Sequence, residues 1–141
     1  SSFWKAFQYF EENIQAACPD KTIYFSWNNI NKIGRSKGKT GVNEKVREIE
    51  QKKFSVVSQE VKLFNPDIVI FLTGPSRDSD IRHHFPDVQF HSFDEIVRKQ
   101  ALAKVMSSYL PRKTIRMYHP SYYGGFNQAK HAGLKIITSD C

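Results

Sequence analysis

Cysteine is nearly missing from this chain of 141 residues: only Cys18 and Cys141 occur. Two are too few for a disulfide framework or a Cys/His metal cluster, so a reducing, cytoplasmic setting is the expectation. Long apolar runs are missing too. None approaches the roughly 20 residues of a membrane-spanning helix, and no signal-peptide pattern opens the chain, so no membrane partner is expected. The histidines His83, His84, His91, His119 and His131 form neither Glu-x-x-His nor His-x-x-x-His spacing, which argues against a metal; no cofactor is expected. There is no Gly-x-Ser-x-Gly elbow for a Ser-His-Asp hydrolase. The stretch Gly34-Arg35-Ser36-Lys37-Gly38-Lys39-Thr40 places three residues between its glycines where a P-loop needs four, so a solvated basic loop is the better reading than a triphosphate site. The chain also lacks an initiator Met. Ser1-Ser2-Phe3-Trp4 enters an amphipathic pattern at once, as a processed or incomplete chain would.

What is present is a hydrophobic fraction of 40%, enough for one packed domain over residues 1–141, and a formal charge of +7. That excess favours a polyanion as partner, and nucleic acid is the commonest one. A monomer is expected.

Phe3, Phe7, Phe10, Ile14 and Ala17 recur at helical spacing until Pro19-Asp20. Thr22 to Trp27 is β-branched and aromatic and reads as a strand ending on Asn28-Asn29. A loop carrying Lys32, Arg35, Lys37 and Lys39 follows. Asn43 caps an expected helix to Phe64 whose stripe slips near Lys52-Lys53, and Asp67 to Gly74 reads as a central strand covered on both faces. Asp78 or Ser79 caps a short helix through His84, and Val88 to His91 is a short strand. Ser92 and Glu95 have capping-box spacing for a helix to Tyr109; Thr114 to Tyr118 is a strand; Phe126 to Ala132 is a brief helix with Gly133 as its cap; Leu134 to Thr138 is a last strand. The expected fold is α/β, three layers α/β/α around a mostly parallel sheet. In such a sheet the ends Asn28-Asn29, Gly74-Pro75-Ser76-Arg77 and His119-Pro120-Ser121 converge on one cleft.

Each residue there has an ordinary role beside its functional one. An Asn at a strand end is more often a turn former, yet its carbonyl and amide can pair with the imide edge of a pyrimidine such as uracil. Ser76 and Ser121, each after a proline, are turn serines or donors to a backbone phosphate. Their joint appearance with His119 raises the functional reading. Arg77, Lys37 and Lys39 would add phosphate contacts and Tyr122 or Tyr123 a stacking surface.

These residues resemble the uracil-DNA glycosylase superfamily. Y-F-S-W-N-N-I resembles its base-reading strand end with Asn28, I-V-I-F-L-T-G-P-S its phosphate-contacting loop with Ser76, and M-Y-H-P-S-Y-Y its His-Pro-Ser loop with His119 and Ser121, in matching order from about Thr22 to Phe126. The resemblance implies hydrolysis of the N-glycosidic bond of uracil, or a related damaged base, flipped out of DNA. His119 would stabilise the charge that develops on the leaving base, Asn28 would hold that base, and the serines would grip phosphates. Tyr122 or Tyr123 stands where the family has an apolar wedge. The family's Gly-rich, water-positioning motif has no counterpart before Thr22. The alternatives are a non-catalytic nucleic-acid or nucleobase binder on the same scaffold, and a small-molecule-binding or structural α/β domain.

Overall fold

The computed structural model describes residues 1–32, 42–53, 55–93 and 98–141. Among them lie helices α1 (Ser2–Ala17), α2 (Glu44–Lys53), α3 (Val57–Phe64), α4 (Asp78–His84) and α5 (Tyr123–Ile137). Strands β1 (Ile68–Phe71), β2 (Gln89–Ser92), β3 (Leu102–Met106) and β4 (Lys113–Met117) form one sheet in the order β1-β4-β3-β2. The fold is α/β.

The sheet is mixed, which corrects the expectation of a mostly parallel one. β1 and β4 run parallel, with Ile68 opposite Lys113 and Phe71 opposite Arg116, while β3 is antiparallel to both β4 and β2. The cause lies in Leu102–Met106, read from sequence as part of a helix. Pairing on both sides and burial of Leu102, Ala103 and Val105 override the helical propensity of L-A-K-V-M. Of the helix expected from Ser92 to Tyr109, residues 94–97 with Glu95 lie outside the described residues, Ser92 ends β2, Leu102–Met106 is β3, and Tyr109 is exposed. Thr22 to Trp27 pairs with no strand of the sheet. Ile23 and Phe25 turn inward from it and Tyr24 points to solvent, so the alternation is real although the pairing is missing. Of the strand expected at Leu134–Thr138, Leu134–Ile137 is helix, because Phe126, Ala129, Gly133 and Ile137 form one buried stripe at three- and four-residue spacing. Gly133 is no cap but a contact: a Cβ there would lie 3.1 Å from Ile115 Cδ1 and from Met117 Sδ.

The slip of the stripe near Lys52-Lys53 falls where α2 ends ahead of α3, and Asn43 Oδ1 accepts from Val46 N at 2.9 Å. Alternate residues of the sheet feed two apolar clusters. Ile68, Ile70, Leu102, Ile115 and Met117 join Phe10 and Ile14 of α1 and Phe126, Ala129 and Ile137 of α5. Val69, Phe71, Phe90, Ala103 and Val105 join Val57 and Val61 of α3 and Ile81 of α4. Each fully buried Ile or Phe contributes about 1.5–3 kcal/mol.

Cys18 and Cys141 are joined in a disulfide, which gives no support to the expected reducing environment. Among the described residues no helix is long and apolar enough to cross a membrane.

Candidate functional site

β1 and β4 are parallel neighbours, so their carboxyl ends lie on the same edge of the sheet and the loops after them adjoin. Gly74 N donates to Met117 O at 2.8 Å, which fastens one loop to the end of the other's strand. Gly74 has φ +71°, a conformation side chains disfavour, and a Cβ there would lie 3.8 Å from His119 N. Pro75–Arg77 then forms a single 3-10 turn that leads directly into α4. Ser76 is exposed on it, while Arg77 reaches Asp80 Oδ2 at 3.6 Å.

His119 lies two residues past β4, in a turn closed by Tyr122 N donating to His119 O at 2.9 Å. Its Nδ1 is 2.7 Å from Ser121 Oγ and accepts from Ser121 N at 3.1 Å. A backbone N–H can only donate, so Nδ1 carries the lone pair and the neutral ring holds its proton on Nε2. Partial burial pushes the His119 pKa below its usual value, which favours that neutral form. Ser121 is thereby the residue that fixes the tautomer.

The same turn opens α5. Its first intrahelical bond is Phe126 N to Tyr122 O at 3.0 Å, no side chain caps it, and no acidic residue stands in its first turn, so the positive end of the helix is left open beside His119 and Ser121. Tyr122 and Tyr123 are both exposed, and Tyr122 meets Tyr118 edge to face at 4.8 Å. Gly125 makes this packing possible, since a Cβ there would come within 2.1 Å of Tyr118 Cδ2.

The third expected partner is elsewhere. Asn28 hydrogen-bonds Glu60, Lys32 and Asn29 N, and among the described residues no hydrogen bond joins Asn28 or Asn29 to the His119 loop. It ends no strand of the sheet. The segment is instead held to α4, by Asn31 Nδ2 donating to Asp80 Oδ2 at 3.2 Å and by His84 Nε2, 3.1 Å from Ile30 O. The structure therefore brings Ser76, His119 and Ser121 onto adjoining loops and places Asn28 beside Glu60 of α3 instead. Lys37 and Lys39 lie outside the described residues.

Two clusters behind these loops escaped sequence reasoning. Arg116 is 1% exposed one residue from the end of β4; its Nε and Nη2 donate to the two oxygens of Asp78, and its Nη1 donates to the carbonyls of Lys99 and Gln100. Of the two expected caps, Asp78 and Ser79, Asp78 turns its carboxylate to this guanidinium instead. The signal available was an Arg inside the apolar run T-I-R-M, where a charge needs a buried partner. The other cluster is His84, with Nδ1 3.4 Å from Ser55 Oγ, which also lies 3.2 Å from His83 Nε2. Among the described residues no group of three or more His, Cys, Asp or Glu side chains is arranged to hold a metal.

Burial, and then the neighbouring His83, hold the His84 pKa below the usual value, against smaller upward effects of the Ile30 carbonyl, Asp80 and Glu50. Below the unfolded pKa of about 6.5 the unfolded chain binds a proton that folded His84 resists, so stability falls as pH drops from there toward the folded pKa. The slope is at most about 1.4 kcal/mol per pH unit for one such group. Urea midpoints at pH 7 and pH 5 should therefore differ less in His84→Gln than in the wild type. Equal differences would remove His84 as the source.

A shallow cavity of about 300 Å³ opens elsewhere, lined by Asp87, Lys104, Ser107, Ser108 and Arg112. Its serines are committed. Ser107 Oγ, Ser108 Oγ and Ser108 N all donate to Asp87, holding the carboxyl down to about 2. That makes it a stabilised turn.

No protein-family model, curated protein or solved structure matches the chain. The loops' own geometry therefore carries the functional argument.

Proposed function

We propose that this chain is a uracil-DNA glycosylase-like protein, hydrolysing the N-glycosidic bond of uracil or a related base flipped out of DNA. The observation that carries this is His119, a neutral imidazole whose Nδ1 is taken by Ser121 and whose Nε2–H is left to donate, on a loop fastened to the Gly74–Arg77 turn. When the glycosidic bond breaks, its electron pair moves onto the base, and a neutral donor aimed at the pyrimidine O2 stabilises that charge without giving up a proton. Ser76, Ser121 and the open start of α5 suit the flanking phosphates, with Arg77 at the rim. Tyr122 or Tyr123 suits the space vacated in the base stack. The two apolar clusters on alternate sheet residues support a three-layer α/β/α arrangement.

Uracil-containing single- and double-stranded oligonucleotides, treated to cleave abasic sites, test the proposal. Release should fall by about 10²–10³-fold in His119→Ala, the size of the effect of removing one preorganised donor. Equal release by wild type and His119→Ala would end the catalytic reading.

The second reading, a non-catalytic nucleic-acid or nucleobase binder, is favoured by one observation. Among the described residues no carboxylate hydrogen-bonds at the His119 loop to position a water. This reading expects salt-dependent DNA binding without base release, weakened when Lys37 and Lys39 are neutralised.

A further inference from the structure

Rings from two segments of the chain gather at the first turns of α1. Phe3, Trp4 and Phe7 come from the helix, Phe25 and Trp27 from the extended segment after it. Trp4 and Trp27 meet at 5.4 Å with their planes at 85°, Phe3 meets them at 5.2 Å and 5.9 Å, and Phe7 lies 5.7 Å from Trp4 and 6.2 Å from Phe25. All these contacts are edge to face, the arrangement that ring quadrupoles favour. The packing fastens the unpaired Thr22–Trp27 segment to α1, yet it leaves Trp4 48% and Trp27 50% exposed.

The charge around the rings has one sign. Residues 1–10 and 21–43, which supply every ring of the cluster, hold Lys5, Lys21, Lys32, Arg35, Lys37 and Lys39 and no Asp or Glu. The carboxylates that hydrogen-bond the second segment, Glu60 and Asp80, are each paired with a cation, Lys32 and Arg77. A cationic ligand would therefore be repelled, and an anionic one drawn in by a field that the formal charge of +7 extends. An anionic lipid surface is the poorer match, because α1 spends its apolar stripe, Ala6, Phe10 and Ile14, on the core and keeps no apolar face to lie in a bilayer. Half-open indoles in an acid-free setting suit single-stranded nucleic acid, whose bases all present a π-face and whose phosphates supply the anions.

We infer that Trp4 and Trp27 form a stacking platform for single-stranded nucleic acid, with the exposed Lys5 beside them for a backbone phosphate. The platform shares an end of the molecule with the His119 loop. Cys18 is bonded to Cys141 and, earlier in both helices, Tyr9 Oη lies 3.0 Å from His131 Nδ1, so α1 and α5 run in the same general direction. Their first turns thus lie at one end, where α5 starts from the His119 loop. The inference goes beyond the proposed glycosidic chemistry and does not require it.

Oligothymidylate titrated into the full chain at low salt tests the platform, by anisotropy of a labelled strand and by tryptophan emission with an unlabelled one. Wild type should bind with quenched emission. Trp4→Ala and Trp27→Ala should each weaken binding roughly 5- to 150-fold, the range for losing one stacked base. Trp4→Phe and Trp27→Phe should recover much of it, which separates loss of stacking from loss of fold. Lys5→Ala should lower the slope of log affinity against log salt by about 0.7, one phosphate contact on a single strand. A strand of the same length built of abasic sites should bind weakly and leave emission unchanged. Wild-type affinity in both alanine variants, or for the abasic strand, shows that phosphate alone is recognised and overturns the inference, as does an absence of binding by wild type. Binding to phosphatidylserine vesicles alone, or tryptophan-dependent self-association in sedimentation without oligonucleotide binding, assigns the rings to a lipid surface or to a second copy and overturns it too. Base release is a separate readout: indole-dependent binding without release upholds the platform while ending the catalytic reading.

Discussion

Reduction of the Cys18–Cys141 bond should lower the melting temperature by about 10–20 °C. The bond spans 123 residues, and closing a loop of that length removes chain entropy from the unfolded state worth about 5 kcal/mol. Total stability for a domain of this size is about 5–15 kcal/mol, so the loss is a large share of it. The setting makes a large effect reasonable. Cys18 is buried in the cluster shared by α1 and α5, its N–H bonded to Ile14 O at 3.0 Å. The last residues are held independently: Cys141 N donates to Thr138 O, and Asp140 pairs with Lys113 at the start of β4. The native ends are thus already in place, and the bond mainly restricts the unfolded chain. Thermal melts with and without a phosphine reductant, alongside Cys141→Ser, measure this. A melting temperature that moves by less than a degree or two in both would show the bond contributes little.

Asp78→Ala should destabilise the protein by about 3–5 kcal/mol, the cost of leaving a buried charge without its partner. Arg116 is fully buried on β4, and the carbonyls of Lys99 and Gln100 satisfy only one arm of the guanidinium. Its ring contact with Phe90, 5.8 Å to the centroid, does not replace a carboxylate. The double variant Asp78→Ala/Arg116→Met should be more stable than Asp78→Ala alone, because an apolar chain of similar length removes the orphaned charge. Urea unfolding of the three proteins checks the pattern. A cost below about 1 kcal/mol for Asp78→Ala would mean water reaches the guanidinium, contrary to its burial. The pair also has a geometric role: Asp78 follows the Ser76 turn and Arg116 lies three residues before His119, so one buried contact sets both loops against each other.

Sequence reasoning reached the elements whose signal is local. α1 follows from the spacing of Phe10 and Ile14, the α2–α3 boundary from a slipped stripe, and His119 beyond a strand end from T-I-R-M-Y-H-P; β1 follows from an unbroken apolar run, but it stands at an edge of the sheet and not at the centre that run suggests. It failed where partners distant in sequence decide. Leu102–Met106 is a strand because β2 and β4 flank it, and Leu134–Ile137 is helix because Gly133 lets it press onto Ile115 and Met117. Two cysteines 123 residues apart gave no spacing to read, and their pairing depends on α1 packing beside α5. At the site, the Ser76 and His119 loops adjoin because β1 and β4 are parallel neighbours. Asn28 was assigned to their cleft on the premise that Thr22–Trp27 belonged to the same sheet. Its real surroundings, Glu60 and Lys32, are set by how α3 packs, which no residue near Asn28 announces.

One covalent bond also makes most of this chain a ring. Everything from Cys18 to Cys141 lies inside a closed circuit, and α1 stands outside it. A single cut anywhere in the circuit, in the basic stretch around Lys37 for instance, leaves one molecule of unchanged connectivity apart from the opened peptide bond. The fragments separate only when the thiols are reduced, so a nicked and an intact chain run together on a non-reducing gel.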